Sequence, residues 1–217
     1  MAFLRLGWTE IVHCWRSVME KDKLILGFAG KMGSGKGAAT QIVKDAYPCT
    51  PSFRFSDALR EFYSWLNVFV RDHGLGLPKE VRTKDLQDLS TELRRLFGQD
   101  VLEHGIMERV RRVDSQSPIV IVDGIRRPSD IDTLKKNPRF RLIYIHLDER
   151  VRWQRHRARN EKSGDAELSF EQFQSLGDVE AEREIGSLRP LADLLVHNKG
   201  GILELPDLFL PQLKQWL

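Results

Sequence analysis

Three stretches of the chain are apolar without alternation: Leu24-Ile25-Leu26-Gly27-Phe28, Ile119-Val120-Ile121-Val122 and Leu142-Ile143-Tyr144-Ile145-His146-Leu147. They are short and largely β-branched, so they read as strands of a parallel sheet buried on both faces. Phe53-Arg54-Phe55 and Leu194-Leu195-Val196 add two shorter ones. Between them the apolar positions recur every three or four residues, which is the helical period. One helix, capped by Ser56, carries Leu59, Phe62, Tyr63 and Leu66 on its buried side. A second carries Leu86, Leu89, Leu93, Leu96 and Phe97 and stops at Gly98. A third follows an Asp100…Glu103 capping pair and bears Val101, Met107, Val110 and Val113. An arginine-dense helix spans about Glu149–Asn160, a Ser169…Gln172 box opens another, and Leu208–Leu217 forms the last. Strand–helix alternation of this kind predicts an α/β three-layer sandwich on a parallel sheet of about five strands.

The pattern also divides the chain. In residues 1–22, Leu4, Trp8, Ile11, Trp15 and Val18 form one helical stripe ahead of the first strand. They read as a helical extension, and as a candidate homodimer contact, attached to a domain over residues 23–217. Glu10, Glu20 and Asp22 break up the basic polar face that a membrane-surface helix would need. The glycines and proline of residues 72–78 mark a loop, and residues of about 155–175 a helical lid.

Composition narrows the picture. The 217 residues are 41% hydrophobic and 30% charged, which fits one folded domain with a substantial core. A net charge of only +3 argues against a dedicated nucleic-acid binder. No apolar run is long enough for a membrane span, and Cys14 and Cys49 have neither metal nor redox spacing. The expected compartment is cytoplasmic.

Chemistry enters after the first strand. Gly30-Lys31-Met32-Gly33-Ser34-Gly35-Lys36-Gly37 lies between that strand and a helix starting near Ala38. Strand, glycine-rich turn and helix in this order make a phosphate cradle: the backbone curls so that consecutive N–H groups converge on an anion. The start of the helix adds unpaired donors, and Lys36 adds a mobile charge. The Ser or Thr that usually follows the lysine and ligates Mg²⁺ is Gly37 here.

In an open parallel sheet the ligand lies at the carboxyl ends of the strands. Asp123, at the end of one strand, and Asp57, after another, are candidates to hold Mg²⁺, and Asp57 could also orient an acceptor. Arginine forks match phosphate oxygens. Arg152, Arg155 and Arg159 share one face of their helix, while Gln87, Thr91, Arg94 and Arg95 lie opposite the leucines of theirs. Arg126, directly beyond Asp123, is well placed, and Arg60 and Arg82 are weaker candidates.

The phosphate loop resembles that of adenylate-kinase-like nucleotide kinases, in which glycine follows the lysine; the family's next threonine is Ala38 here. Val122-Asp123-Gly124-Ile125-Arg126, the helix with Arg155 and Arg159, and Ala192-Asp193…Asn198-Lys199-Gly200 are similar to dephospho-CoA-kinase-like nucleotide kinases. Leu86-Gln87-Asp88-Leu89-Ser90-Thr91 with Arg95 resembles the acceptor helix of deoxynucleoside monophosphate kinases. The likeness runs from about Lys23 to Leu205. It implies ATP and Mg²⁺ as cofactors and a loop around Asn198 bordering the adenine. Donor phosphates would lie on Gly30, Met32, Gly33, Ser34, Gly35, Lys36, Gly37 and Ala38. Transfer would go to a (deoxy)nucleoside monophosphate held by Arg60, Gln87, Thr91, Arg94, Arg95 and Arg126, with Arg155 and Arg159 closing over it. The alternatives are a dephospho-CoA kinase and a catalytically silent nucleotide-binding regulatory protein, the latter motivated by Gly37 and Ala38.

Overall fold

A computed structural model describes residues 23–74, 83–114, 116–159, 165–177, 184–199, 201 and 203–217. The expected N-terminal helix, most of the glycine–proline loop, Arg82 and the middle of the lid lie outside the described residues. Five strands, β1 (Leu24–Ala29), β2 (Ser52–Arg54), β3 (Ile119–Asp123), β4 (Phe140–His146) and β5 (Leu194–His197), form one sheet in the order β2-β3-β1-β4-β5. Every pairing is parallel. The helices are α1 (Lys36–Ala46), α2 (Phe55–Asp72), α3 (Thr83–Phe97), α4 (Val101–Arg112), α5 (Glu149–Arg159), α6 (Phe170–Gly177) and α7 (Leu205–Trp216).

The unbroken apolar runs now have their reason. On β1, Leu24, Leu26 and Phe28 join Ile119, Ile121, Ile143 and Ile145 on one face, against Ala39 and Val43 of α1 and Phe209 and Leu213 of α7. Ile25 and Ala29 join Val120, Val122, Leu142 and Tyr144 on the other, against α2, α3 and α4. With both faces covered, neither alternate set can be polar. Gly27 leaves room for this packing: a Cβ there would lie 2.7 Å from Ile125 Cδ1 and 3.0 Å from the Phe140 ring. The central β1 has β3 on one side and β4 on the other, so the chain diverges at the carboxyl end of β1, where ligands bind in such sheets.

Four local expectations change. Ser56 does not cap α2; the helix starts at Phe55, and Asp57 Oδ2 accepts from the Arg54 N–H at 2.9 Å to close its first turn. Phe62 is 40% exposed rather than packed. Leu96 and Phe97 are also exposed, because α3 meets the core only through its earlier leucines. Glu103 does not cap Asp100. It is fully buried, and its Oε2 accepts the Thr133 N–H at 3.1 Å. The Ser169…Gln172 box forms as read, with reciprocal bonds of 2.8 and 3.2 Å.

Burial holds the Glu103 carboxyl above its ordinary range, and Asp130 and Asp132 add to the shift against the Thr133 bonds. A raised folded-state value means that the folded protein takes up a proton before the unfolded chain does. Stability from this group is therefore present on mild acidification and is lost as pH rises through the raised value. Glu103→Gln is expected to raise Tm at pH 7 by about 2–4 °C, the shift that ~1 kcal/mol produces in a chain of this size. Thermal melts between pH 7 and 5 check this; the gap between variant and parent should close as the pH falls.

Candidate functional site

The loop from Gly30 to Lys36 curls where no side chain fits. Gly30, Gly33 and Gly35 have φ of 146, 79 and 109°, in the region open to glycine. A Cβ on Gly30 would be 2.4 Å from the Ile145 carbonyl oxygen, one on Gly33 3.0 Å from the Arg152 carbonyl oxygen, and one on Gly35 2.6 Å from Asn198 Nδ2. Lys36 Nζ folds back onto the carbonyls of Gly30 at 2.5 Å and Lys31 at 3.2 Å, at the centre of the curl. Ser34 is buried at its base. Gly37 differs: its Cβ position has no atom within 4 Å, so the loop has room for a side chain there. Ala38 packs on the core between α1 and α7 and presents nothing to the cradle.

Two side chains hold the loop from outside. Asn198, just past β5, is buried, and its Nδ2 donates to the Ser34 carbonyl at 2.8 Å. The resemblance assigns this loop to the adenine; the geometry makes Asn198 a brace of the phosphate loop. Arg152 of α5 is also buried and donates from Nη1 to the Met32 carbonyl at 3.2 Å and from Nη2 to Glu149 Oε1 at 3.1 Å. Arg152 thus ties α5 to the loop. Arg155 is half-buried on the same helix, and the Arg159 side chain lies outside the described part. Two cavities, of ≈ 420 and ≈ 300 Å³, open among the described residues. The larger, ≈ 420 Å³, lies beside the loop and is lined by Lys31, Ser34, His146, Asp148, Arg152 and Arg189. Burial, and then the neighbouring Arg189, His197 and Arg152, lower the His146 pKa, with Asp148 acting in the opposite direction.

The other cleft, ≈ 300 Å³, lies between the start of α2, α3 and the segment after β3. Phe55, Leu59, Leu86 and Leu102 give it an apolar floor, and Gln87, Ser90, Thr91, Arg94, Arg126 and Arg127 a polar rim. Its framework is a residue the sequence reading passed over. Asp130 accepts from Arg94 Nη2 at 2.6 Å with one oxygen, and from the N–H groups of Arg126 at 2.8 Å and Arg127 at 3.0 Å with the other. Arg94 is thus a buried tie, which also donates to the Gln99 carbonyl. The available sign was a carboxylate three residues past Arg127, behind a proline, where a short helical turn starts. Arg95 is not brought to the cleft; it is exposed and pairs with Glu92 at 2.8 Å. Arg60 is exposed on α2, outside the cleft lining.

Asp123 and Arg54 are paired neighbours on β3 and β2. Asp123 Oδ2 accepts from Arg54 Nε at 3.1 Å and Oδ1 from the Gly124 N–H at 2.7 Å. Asp57 meets Arg54 through its backbone N–H, so both candidate carboxylates gather at one residue. Among the described residues no group of three His, Cys, Asp or Glu side chains could enclose a metal ion. One or two carboxylates completed by phosphate oxygens and water is the donor set Mg²⁺ usually takes, and Arg54, 62% exposed, can swing away. The residues present fit the ion.

A five-stranded parallel sheet, covered on both faces, with a glycine-rich loop after its central strand is a fold the chain shares with solved structures. The chain superposes on a Thermus thermophilus crystal structure with a TM-score of 0.56 at 18% identity, covering 90% of this chain and 98% of that one. It superposes on dephospho-CoA kinase from Campylobacter jejuni with a TM-score of 0.51 at 11% identity, covering 89% and 97%. In sequence it is similar to a UPF0200 protein of Staphylothermus marinus, 26% identical over 176 residues, 81% of this chain and 84% of that protein. A UPF0200 protein of Pyrococcus furiosus is 27% identical over 186 residues, 84% and 91%. No protein-family model matches the chain. At these identities the structural likeness establishes the fold alone. No described helix is long and apolar enough to cross a membrane.

Position, not residue type, should decide how the loop tolerates change. Gly35→Ala meets Asn198 and a strained φ and is expected to abolish nucleotide binding. Gly37→Ala, in open space in the first turn of α1, should keep binding and stabilise by about 0.5–1 kcal/mol. Calorimetric ATP titrations and thermal melts of the two variants check the contrast.

Proposed function

We propose that this chain is an ATP-dependent kinase that transfers the γ-phosphoryl group to a (deoxy)nucleoside monophosphate. The observation that carries the reading is the pairing of the Gly30–Lys36 cradle, with Lys36 at its centre, and a separate cleft that combines an apolar floor with amide, hydroxyl and guanidinium groups.

Donor phosphates take the loop N–H groups, and Lys36 exchanges its carbonyl partners for phosphate oxygens. Asp123, with Asp57 beside it, would hold Mg²⁺, which supplies charge neutralisation at those phosphates. The acceptor's base lies on Phe55, Leu59 and Leu86 and is read by Gln87 and Thr91, while Arg126 and Arg127 take its phosphate. An acceptor phosphate oxygen forms the new P–O bond as the bond to the β-phosphate's bridging oxygen breaks and ADP leaves. That oxygen is already anionic, so positioning and charge neutralisation dominate over base catalysis. Arg155 and Arg159 close over the transferring group, beside Arg152.

Two features favour this acceptor over the ribose hydroxyl of dephospho-CoA. Asp57, the carboxylate that the sequence offers as a base for that hydroxyl, already closes the first turn of α2. The cleft is also at the small end for ligand pockets, which suits a mononucleotide.

ATP consumption across a panel of nucleoside monophosphates and dephospho-CoA tests the reading. Turnover with a monophosphate supports it; turnover with dephospho-CoA alone replaces it; silence on every acceptor despite ATP binding supports the regulatory protein. Lys36→Ala should lower kcat about 10²–10³-fold, the range for one electrostatic group at a transition state. Arg126→Ala should raise the acceptor KM by about 10-fold or more, equivalent to ~1.4 kcal/mol, and leave the ATP KM unchanged.

A further inference from the structure

The ≈ 420 Å³ cavity beside the phosphate loop has no part in the kinase reading, yet its volume is that of a small-molecule site. Of the loop, Lys31 and Ser34 line it, whereas Gly33, Gly35 and Lys36 do not. It therefore meets the loop through groups other than those that gather around Lys36. The rest of its wall comes from three places: the end of β4 through Asp148, the start of α5, and Arg189. Arg189 stands on the short helical turn Gly186–Leu191 ahead of β5.

The charged groups of this wall are unequally engaged. Asp148 caps α5, accepting the Arg150 N–H at 2.9 Å, where the positive end of the helix offsets its charge. Glu149 is bonded through both oxygens, to Arg152 Nη2 and to Gln174 Nε2, each at 3.1 Å. Arg152 also holds the Met32 carbonyl. The side chains of Lys31 and Arg189, by contrast, make no hydrogen bond or ion pair among the described residues. Two cations are thus available at the cavity, while the carboxylates beside them are taken.

Ser34 supplies an independent sign. It is 1% exposed, and its Oγ is buried with no hydrogen-bond partner among the described residues. A hydroxyl sealed from water in this way costs free energy unless something bonds to it. Ammonium, guanidinium and hydroxyl donors around one space are the set that recognises phosphate oxygens.

We propose that this cavity binds a phosphate oxyanion, free or as the phosphomonoester end of a small molecule, held by Lys31, Arg189 and Ser34 Oγ at a position separate from the one at Lys36. The site goes beyond the kinase reading and does not depend on it.

Calorimetric titration of the intact chain with inorganic phosphate and with glycerol phosphate, each with and without saturating ATP, tests the site. Phosphate or its ester should bind, ATP should not displace it, and Lys36→Ala should retain it. A tighter ester assigns the cavity to a phosphorylated small molecule, and equal affinities assign it to free phosphate. Arg189→Gln and Lys31→Gln should each weaken binding about 10-fold or more, and Ser34→Ala about 10-fold, with the far-ultraviolet dichroism unchanged. No heat with either probe, or unchanged affinity in both Arg189→Gln and Lys31→Gln, would overturn the proposal. Displacement by ATP, or loss of binding in Lys36→Ala, would also overturn it by putting the phosphate in the cradle. A chain that ignores ATP but binds phosphate in the Lys36→Ala variant would refute the kinase reading and leave this site standing.

Discussion

The curl of Gly30–Lys36 is possible only because three neighbours approach where side chains would otherwise stand. The Ile145 carbonyl comes from β4, the Arg152 carbonyl from α5, and the Asn198 amide from the end of β5. Two of these neighbours also bond to the loop, through Met32 and Ser34. The cradle is therefore not a property of the glycines alone. It exists because the sheet order sets β4 next to β1 and β5 next to β4. Glycine permits the conformation, and the surrounding strands select it.

The second cleft is built on a different principle. Asp130 spends one oxygen on Arg94 and the other on two backbone N–H groups, with Arg94 and Asp130 both buried. A buried pair of this sort adds little net stability, because desolvation offsets the attraction, but its satisfied bonds fix a geometry. The backbone that carries Arg126 and Arg127 is thus held in place at the edge of the cleft. Asp123 and Arg54 form the contrasting pair: partly exposed, weakly held and free to exchange partners.

Two residues run against the usual distribution of polar and apolar groups. Glu103 is buried where a first-turn glutamate would ordinarily face water, and it carries the Thr133 N–H of the segment behind the cleft. Phe62, with Trp65 and Phe69, is exposed where its spacing would place it in the core. The first is explained by a backbone donor that needed a partner.

The five strands, their parallel pairing and the phosphate loop were legible in the chain, because continuous β-branched runs and a glycine turn before a lysine are local signals of strong physical requirements. The positions of Asp123 and Arg126 followed from strand ends for the same reason. The partners of those residues were not legible. Arg94 and Arg95 are adjacent and chemically alike, yet one is tied to Asp130 and the other turns to Glu92. Likewise Arg152 bonds to the loop through Met32, and Asn198, expected in a segment bordering the adenine, bonds to it through Ser34. Local pattern sets which elements form and which way each face points. The contact a polar side chain makes depends on donors and acceptors brought from distant parts of the chain, and only the packed structure determines where those lie.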